Sequence, residues 1–207
     1  MARHVFIDNS NIFGGAQRAA TTLEPEALWL AVRVHYRNLF QLVERDGDVV
    51  SRVLAGSVPP GNDALWEHAR RGGYDTDLLR RVETDNGRLI EQGVDEMLHL
   101  KIANALLDSP GGETLVIVSG DGRVSSFNTS FPGQAERALR QGWNVEVWSW
   151  QEQLTRAYAP LAHQSPDRVS VQSIDPYYHS VTFVRAGQYR VAGSQVDVAG
   201  RVVAPLR

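Results

Sequence analysis

The sequence predicts an α/β fold with a mostly parallel central sheet of about five strands, and three observations predict it. Short β-branched runs alternate with longer segments whose apolar residues recur at helical spacing, the pattern of right-handed βαβ crossovers. Glycine and proline clusters, such as Gly72-Gly73 and Pro110-Gly111-Gly112, fall between the two kinds of segment. Acidic residues stand where elements end or begin: Asp8 closes the first strand, Asp95 opens a helix, and Asp121 follows the clearest strand. If the strands are parallel, all three acids land on one sheet edge.

The elements follow in order. His4 to Ile7 reads as the apolar part of a first strand, about residues 3 to 8, followed by a loop at Gly14-Gly15. A helix is expected from near Pro25, with Glu24 and Glu26 complementing its positive end and Leu28, Val32, Tyr36, Leu39, Phe40 and Val43 on one face. Gly47 ends it. Val49 to Ala55 predicts a second strand, stopped by Pro59-Pro60-Gly61, and residues 62 to 71 a short helix. Tyr74 to Val82 alternates weakly, as a third strand. Val94, Met97, Leu98, Ile102, Ala105 and Leu106 predict a long helix, and Thr114 to Ser119 a buried strand bounded by glycines. A helix over Gly133 to Arg140 and a strand over Asn144 to Trp148 complete the pattern. Beyond Pro160 the pattern changes, so residues 1–160 are read as one domain and 161–207 as a C-terminal extension, with a small hairpin across Gly193-Ser194.

Composition excludes several classes. The chain has 207 residues and 43% hydrophobic content, enough for a sizeable core. No apolar run reaches the ~18 residues of a membrane span, and no secretory leader is visible. The absence of cysteine removes disulfides, thiolate metal sites and a cysteine nucleophile, and fits a cytoplasmic protein. A net charge of −3 argues against an overall basic nucleic-acid binder. Of 21 basic residues only Lys101 is a lysine. Arg70, Arg71, Arg80, Arg81 and Arg88 are concentrated enough to form a basic rim beside an acidic pocket; for each, a solvated surface position is the alternative.

In an open α/β sheet, ligands bind outside the carboxyl ends of the strands. Asp8 and Asp121 fall just past such ends, and a helix preceding a parallel strand begins on the same edge, which brings in Asp95. Singly, each has a plain reading as a turn or helix-start residue. Together, clustered carboxylates repel, and a hard cation bound through oxygen offsets that cost.

Val5-Phe6-Ile7-Asp8-Asn9-Ser10-Asn11-Ile12-Phe13, Gly93-Val94-Asp95-Glu96 and Val118-Ser119-Gly120-Asp121-Gly122, in that order, resemble the NYN domain of the PIN-like nuclease group. Phe131-Pro132-Gly133 and Gly142 to Val147 resemble the closing part of some members. The resemblance covers about residues 3 to 150. It implies a PIN-like three-layer α/β/α fold and a ribonuclease dependent on Mg²⁺ or Mn²⁺, with RNA as substrate. It implies Asp8, Asp95 and Asp121 as catalytic and metal-holding positions and Asn11 as a catalytic position. One departure stands out: many members carry a further aspartate where this chain has Arg123. A guanidinium there cannot bind a metal. Either Glu96 or Glu136 completes the acidic set, or cleavage is weakened, or Arg123 contacts phosphate.

On this reading Asn11 and Ser119 orient a water or the carboxylates, and Ser119, Arg123, Arg70 and Arg71 bind substrate. Trp66 is either a stacking platform or core. His99 is read as a helix-surface histidine, with a mixed His/Asp metal site as the alternative. The competing functions are an RNA-binding or scaffold module that has lost turnover, and a phosphatase. The latter lacks the paired Asp-x-Asp of the haloacid dehalogenase type. No membrane partner is expected, and homo-oligomer formation is left open.

Overall fold

Strand β1 (Arg3–Asp8) is buried from end to end, and the rest of the chain is arranged around it. The computed structural model describes residues 1–45, 47–57, 63–79, 82–83, 89–90, 93–125 and 127–206. Helix α1 (Asn9–Leu23) follows β1 directly, then a 3₁₀ turn at Trp29–Ala31, β2 (Val32–Val34) and α2 (Tyr36–Glu44). Next come β3 (Val49–Ser57), α3 (Asp63–Arg71), β4 (Asp75–Leu79) and the short pair β5 (Val82–Glu83) and β6 (Leu89–Ile90). Then follow α4 (Val94–Asp108), β7 (Thr114–Val118), α5 (Phe131–Arg140) and β8 (Asn144–Ser149). The chain closes with α6 (Tyr158–Gln164), β9 (Val169–Ser173), α7 (Tyr178–Val181), β10 (Thr182–Val184), β11 (Gly187–Val191) and β12 (Ser194–Val198).

Six strands form the central sheet in the order β4-β3-β1-β7-β8-β9, and every neighbouring pair is parallel. The sixth strand, β9, lies beyond residue 160, so the sheet recruits the segment expected to be an extension. From β1 the chain builds outward through β3 and β4, then returns to the other side of β1 with β7. The order therefore reverses beside β1, and a crevice opens at the carboxyl ends of β1 and β7.

Strand side chains alternate between faces, and helices cover both. Val5, Ile7, Val116 and Val118 pack on one face against α1, α2 and α3, with Trp66, Trp148 and Trp150 in the same core. Phe6, Leu115, Ile117, Val145 and Val147 pack on the other against α4 and α5. The result is a three-layer α/β/α arrangement, as expected. Each fully buried Val, Leu or Ile contributes about 1.5–3 kcal/mol. Trp66 belongs to the core and offers no stacking platform.

The largest difference from expectation concerns residues 9 to 44. Where a loop was expected after the first strand there is helix α1, with Glu24 as its C-cap, and the single helix expected from Pro25 is instead a 3₁₀ turn, the strand β2 and the helix α2. Gly14-Gly15 lies inside α1. A Cβ on Gly15 would stand 2.2 Å from the Trp150 ring, so this glycine serves close packing. Trp150 also donates its indole N–H to the Ile12 carbonyl (2.9 Å), pinning α1 to the end of β8.

The tail does form a hairpin. β11 and β12 are antiparallel, and Ala192 and Gly193 both carry positive φ, the signature of a tight primed turn. β10 pairs with β2, and Arg201 bridges back to Val184. Pro59-Pro60-Gly61 and Arg80, Arg81 and Arg88 lie outside the described residues. Among the described residues no helix is long and apolar enough to cross a membrane.

Candidate functional site

Asp8 ends β1 and caps α1: its Oδ1 accepts the Asn11 backbone N–H at 3.0 Å. Its other oxygen, Oδ2, accepts the hydroxyl of Ser119 at 3.0 Å, just past the end of β7. The Ser119 oxygen in turn accepts the Asp121 backbone N–H at 3.2 Å. One buried hydroxyl thus joins the Asp8 carboxylate to the Asp121 backbone, linking two of the three acids expected at this edge. Asn11 completes the link, its Oδ1 accepting the Gly120 N–H at 3.0 Å.

Gly120 and Gly122 allow this loop to lie against the segment after β8. A Cβ on Gly120 would meet the Ser149 Oγ at 2.3 Å and the Gln153 carbonyl at 2.4 Å; one on Gly122 would meet Thr155. Backbone cannot yield cheaply, so Gly120→Ala is expected to cost about 1–3 kcal/mol by overpacking. A lowered urea midpoint at unchanged m-value would show it, and an unchanged midpoint would refute the packing assignment.

A cavity of about 790 Å³ opens above these residues. Asp8, Asn11, Asp95, Glu96, Asp121 and Arg123 all line it, so the structure brings together most of the positions singled out by sequence. Asp95 and Glu96 enter from the first turn of α4, which Gly93 starts with φ 86°. Ser119 lies beneath, fully buried. Three expected participants, Arg70, Arg71 and Glu136, are elsewhere. Arg70 and Arg71 end α3, next to the start of β4 and so at the opposite sheet edge, where Arg70 bonds the Thr76 hydroxyl at 3.0 Å. Glu136 pairs with Arg140 on the exposed face of α5. His99 is not on the surface: it is buried, bonded to Thr129 through Nδ1 and edge-on to Phe131.

Arg18, Glu152, Gln153 and Thr155 also line the cavity and were not singled out by sequence. Arg18 had a signal, since Ser10, Gly14 and Arg18 share one face once α1 is recognised as a helix. The amide of Gln153 satisfies both ends with its nitrogen toward Asn11 (2.9 Å to O, 3.1 Å to Oδ1) and its oxygen toward Arg18 (3.1 Å).

Arg123 dominates the electrostatics. Its guanidinium grips Asp121, with Nη2 at 2.6 Å and Nε at 2.9 Å from Oδ2. Burial pushes the Asp121 carboxyl up, but the hydrogen bonds and charge of Arg123 outweigh it and hold the pKa below its ordinary value. Asp95 and Asp8 lie near enough to add to the field on Arg123. The Arg123 side chain is 84% exposed while that of Asp121 is 10% exposed, so an exposed cation covers a largely buried carboxylate.

Whether the residues suit a metal turns on donor chemistry. The cavity's carboxylates are hard oxygen donors, and Mg²⁺ typically takes only one or two carboxylates, plus waters and substrate phosphate. As placed, no three His, Asp or Glu among the described residues converge on one point. The described carboxylates therefore form no three-acid cage, and the residues that could share an ion with waters and a phosphate are Asp8, Asp95, Glu96 and Asp121 along the cavity wall. Two buried polar atoms near the acids lack a protein partner, the Tyr158 hydroxyl and the His99 Nε2. Burial, then Asp121 and Asp8, push the Tyr158 pKa up, so its hydroxyl stays protonated and is a donor facing acidic surroundings. Burial lowers the His99 pKa, against the pull of Glu96 and Asp121.

Among solved structures, the chain is similar to a protein of unknown function from Vibrio parahaemolyticus. The two share 16% identity over 84% of this chain and 94% of that one, with a TM-score of 0.58. At that identity the likeness is one of fold. No protein-family model and no curated protein matches the chain.

Proposed function

We propose that the cavity is a metal-dependent ribonuclease site of NYN type, hydrolysing RNA phosphodiesters with Mg²⁺ or Mn²⁺ in the cytoplasm. The observation that carries this reading is the coupling of Asp8 to Asp121 through Ser119 at the sheet's switch point. The sequence resemblance supports it, and the cysteine-free composition suits a reducing compartment. A cation held there by Asp8 and Asp121, with Asp95 and Glu96 beside them, would activate water and stabilise charge on the phosphate.

The chain's own groups do the positioning. Ser119 and the Asn11 N–H lock both oxygens of Asp8, so the carboxylate needs no reorganisation on binding. Asn11 fixes the Gly120-Asp121 loop. Arg123, whose side chain is exposed, can exchange Asp121 for a phosphate oxygen, an anion that a guanidinium fork matches well.

The test is RNA cleavage by wild type and Asp121→Asn with Mg²⁺, with Mn²⁺ and with EDTA. Metal-dependent cleavage by the wild type that is lost in the variant supports the reading; no cleavage by the wild type under any condition refutes it. A second reading, an RNA-binding or scaffold module without turnover, is favoured by one observation, the grip of Arg123 on Asp121. Arg123→Ala separates the two. Under the nuclease reading it frees Asp121 and raises Mn²⁺ affinity by about tenfold in calorimetry, the equivalent of ~1.4 kcal/mol. Under the second, Mn²⁺ affinity does not change.

A further inference from the structure

A second groove, about 390 Å³, lies beside the acidic cavity and plays no part in the chemistry above. Phe13 of α1, Tyr36 at the start of α2 and Phe183 of β10 give it aromatic walls. Arg33, Arg37, His35 and His68 supply its polar lining, and no carboxylate lines it among the described residues. The Arg33 guanidinium sits over the Phe13 ring at 5.9 Å, held by bonds to the Leu30 and Val32 carbonyls at 2.7 and 2.9 Å. His35 stands edge-on to Phe183. A ligand suited to this groove is flat, unsaturated and anionic.

The groove adjoins the acidic cavity through α1. The Tyr36 hydroxyl donates to the Asn9 side chain, and Asn9 follows Asp8 in the chain. Phe13 is one turn further along, while Ser10 and Gly14 on the neighbouring face line the acidic cavity. A ligand seated in both would thus lie across the first two turns of one helix.

We propose that this groove takes one nucleotide of single-stranded RNA next to the cleaved bond, its base against Phe13 and Phe183 and its phosphate on Arg37 and Arg33. The charge complementarity of an arginine-bearing aromatic groove selects that occupant, because every base offers a π-face and each nucleotide brings one anionic phosphate. The inference rests on the ribonuclease reading and names how that site holds its substrate.

The test is anisotropy binding of a short, mixed-sequence 2′-O-methyl RNA in EDTA, where nothing is cut. Phe13→Leu keeps an apolar side chain against the core and removes the ring; it is expected to weaken binding about tenfold. Arg37→Gln changes an exposed side chain and is expected to flatten the salt dependence of log K by about 0.7, one single-strand phosphate contact. Wild-type affinity and salt slope in both variants would overturn the groove while leaving the ribonuclease reading intact. Wild-type protein that binds the RNA and shows both effects, yet never cleaves RNA with metal, would sustain the groove and overturn the ribonuclease. Absence of RNA binding by the wild type, or preference for duplex over single strand, would overturn the groove assignment.

Discussion

Asp8→Asn is expected to lower metal-dependent RNA cleavage at least about 100-fold while leaving the fold in place, a loss of roughly 3 kcal/mol of transition-state stabilisation. The separation of these effects follows from the two jobs of the side chain. As the cap of α1 it accepts the Asn11 N–H, and asparagine caps helices as well as aspartate does. Ser119 can turn its hydroxyl to suit the new amide. Stability should therefore change by less than about 1 kcal/mol. What asparagine cannot supply is a charge for a cation. Single-turnover cleavage and a urea melt on the same preparation check both halves. Cleavage at the wild-type rate would end the metal-nuclease model.

The second large effect is on stability, far from the cavity. Arg201 reaches from the tail to Glu24, the C-cap of α1, with Nε and Nη2 at 2.7 and 2.9 Å from the two carboxylate oxygens. It also bonds the Thr182 carbonyl and lies over the Tyr178 ring at 5.5 Å, while Tyr178 donates its hydroxyl to Glu24 at 2.9 Å. Removing one partner of this partly buried pair leaves the buried Glu24 charge uncompensated, so Arg201→Ala is expected to cost about 2 kcal/mol, between the exposed and fully buried limits, read as a lower urea midpoint. A loss below about 0.5 kcal/mol would place the pair among ordinary surface contacts.

The same pair sets an acid dependence whose sign can be worked out. Burial raises the Glu24 pKa, but the bonds from Arg201 and Tyr178 outweigh it and bring it below the ordinary value of 4.5. The unfolded chain then binds the proton more readily than the native one. The stabilisation is therefore complete above pH 4.5 and falls away as pH drops through the lowered native pKa. The gap between wild type and Arg201→Ala should narrow over that acid range. A gap constant down to pH 3 would show that packing, not charge, carries the effect (roughly one unit below the Glu range).

Sequence exposed the sheet well because its strands are buried on both faces, and such strands read as continuous apolar runs. Thr114 to Val118 is the plainest case, with every residue buried. The acids were legible for a related reason, since strand ends are local features and the parallel sheet gathers them. Helix α1 was not legible. Its buried face is Ile12, Gly15, Ala16, Ala19 and Ala20, small residues that carry little periodic hydrophobic signal, and its two glycines read as a loop. Strand β9 was hidden similarly, because Val-Ser-Val-Gln-Ser at a sheet edge is only partly buried. Gln153 and Thr155 could not be found locally, for they reach the cavity through contacts with Gly120 and Gly122.

The contact between Gly15 and Trp150 has a consequence for how this chain tolerates change. A methyl group at position 15 requires the indole to withdraw, and withdrawal breaks its bond to Ile12 in the turn that follows Asp8. A smaller residue at 150 would admit alanine at 15 but leave a hole where the indole stood. Neither position can drift alone, so the two behave as one inherited unit, and their substitution energies should be strongly non-additive.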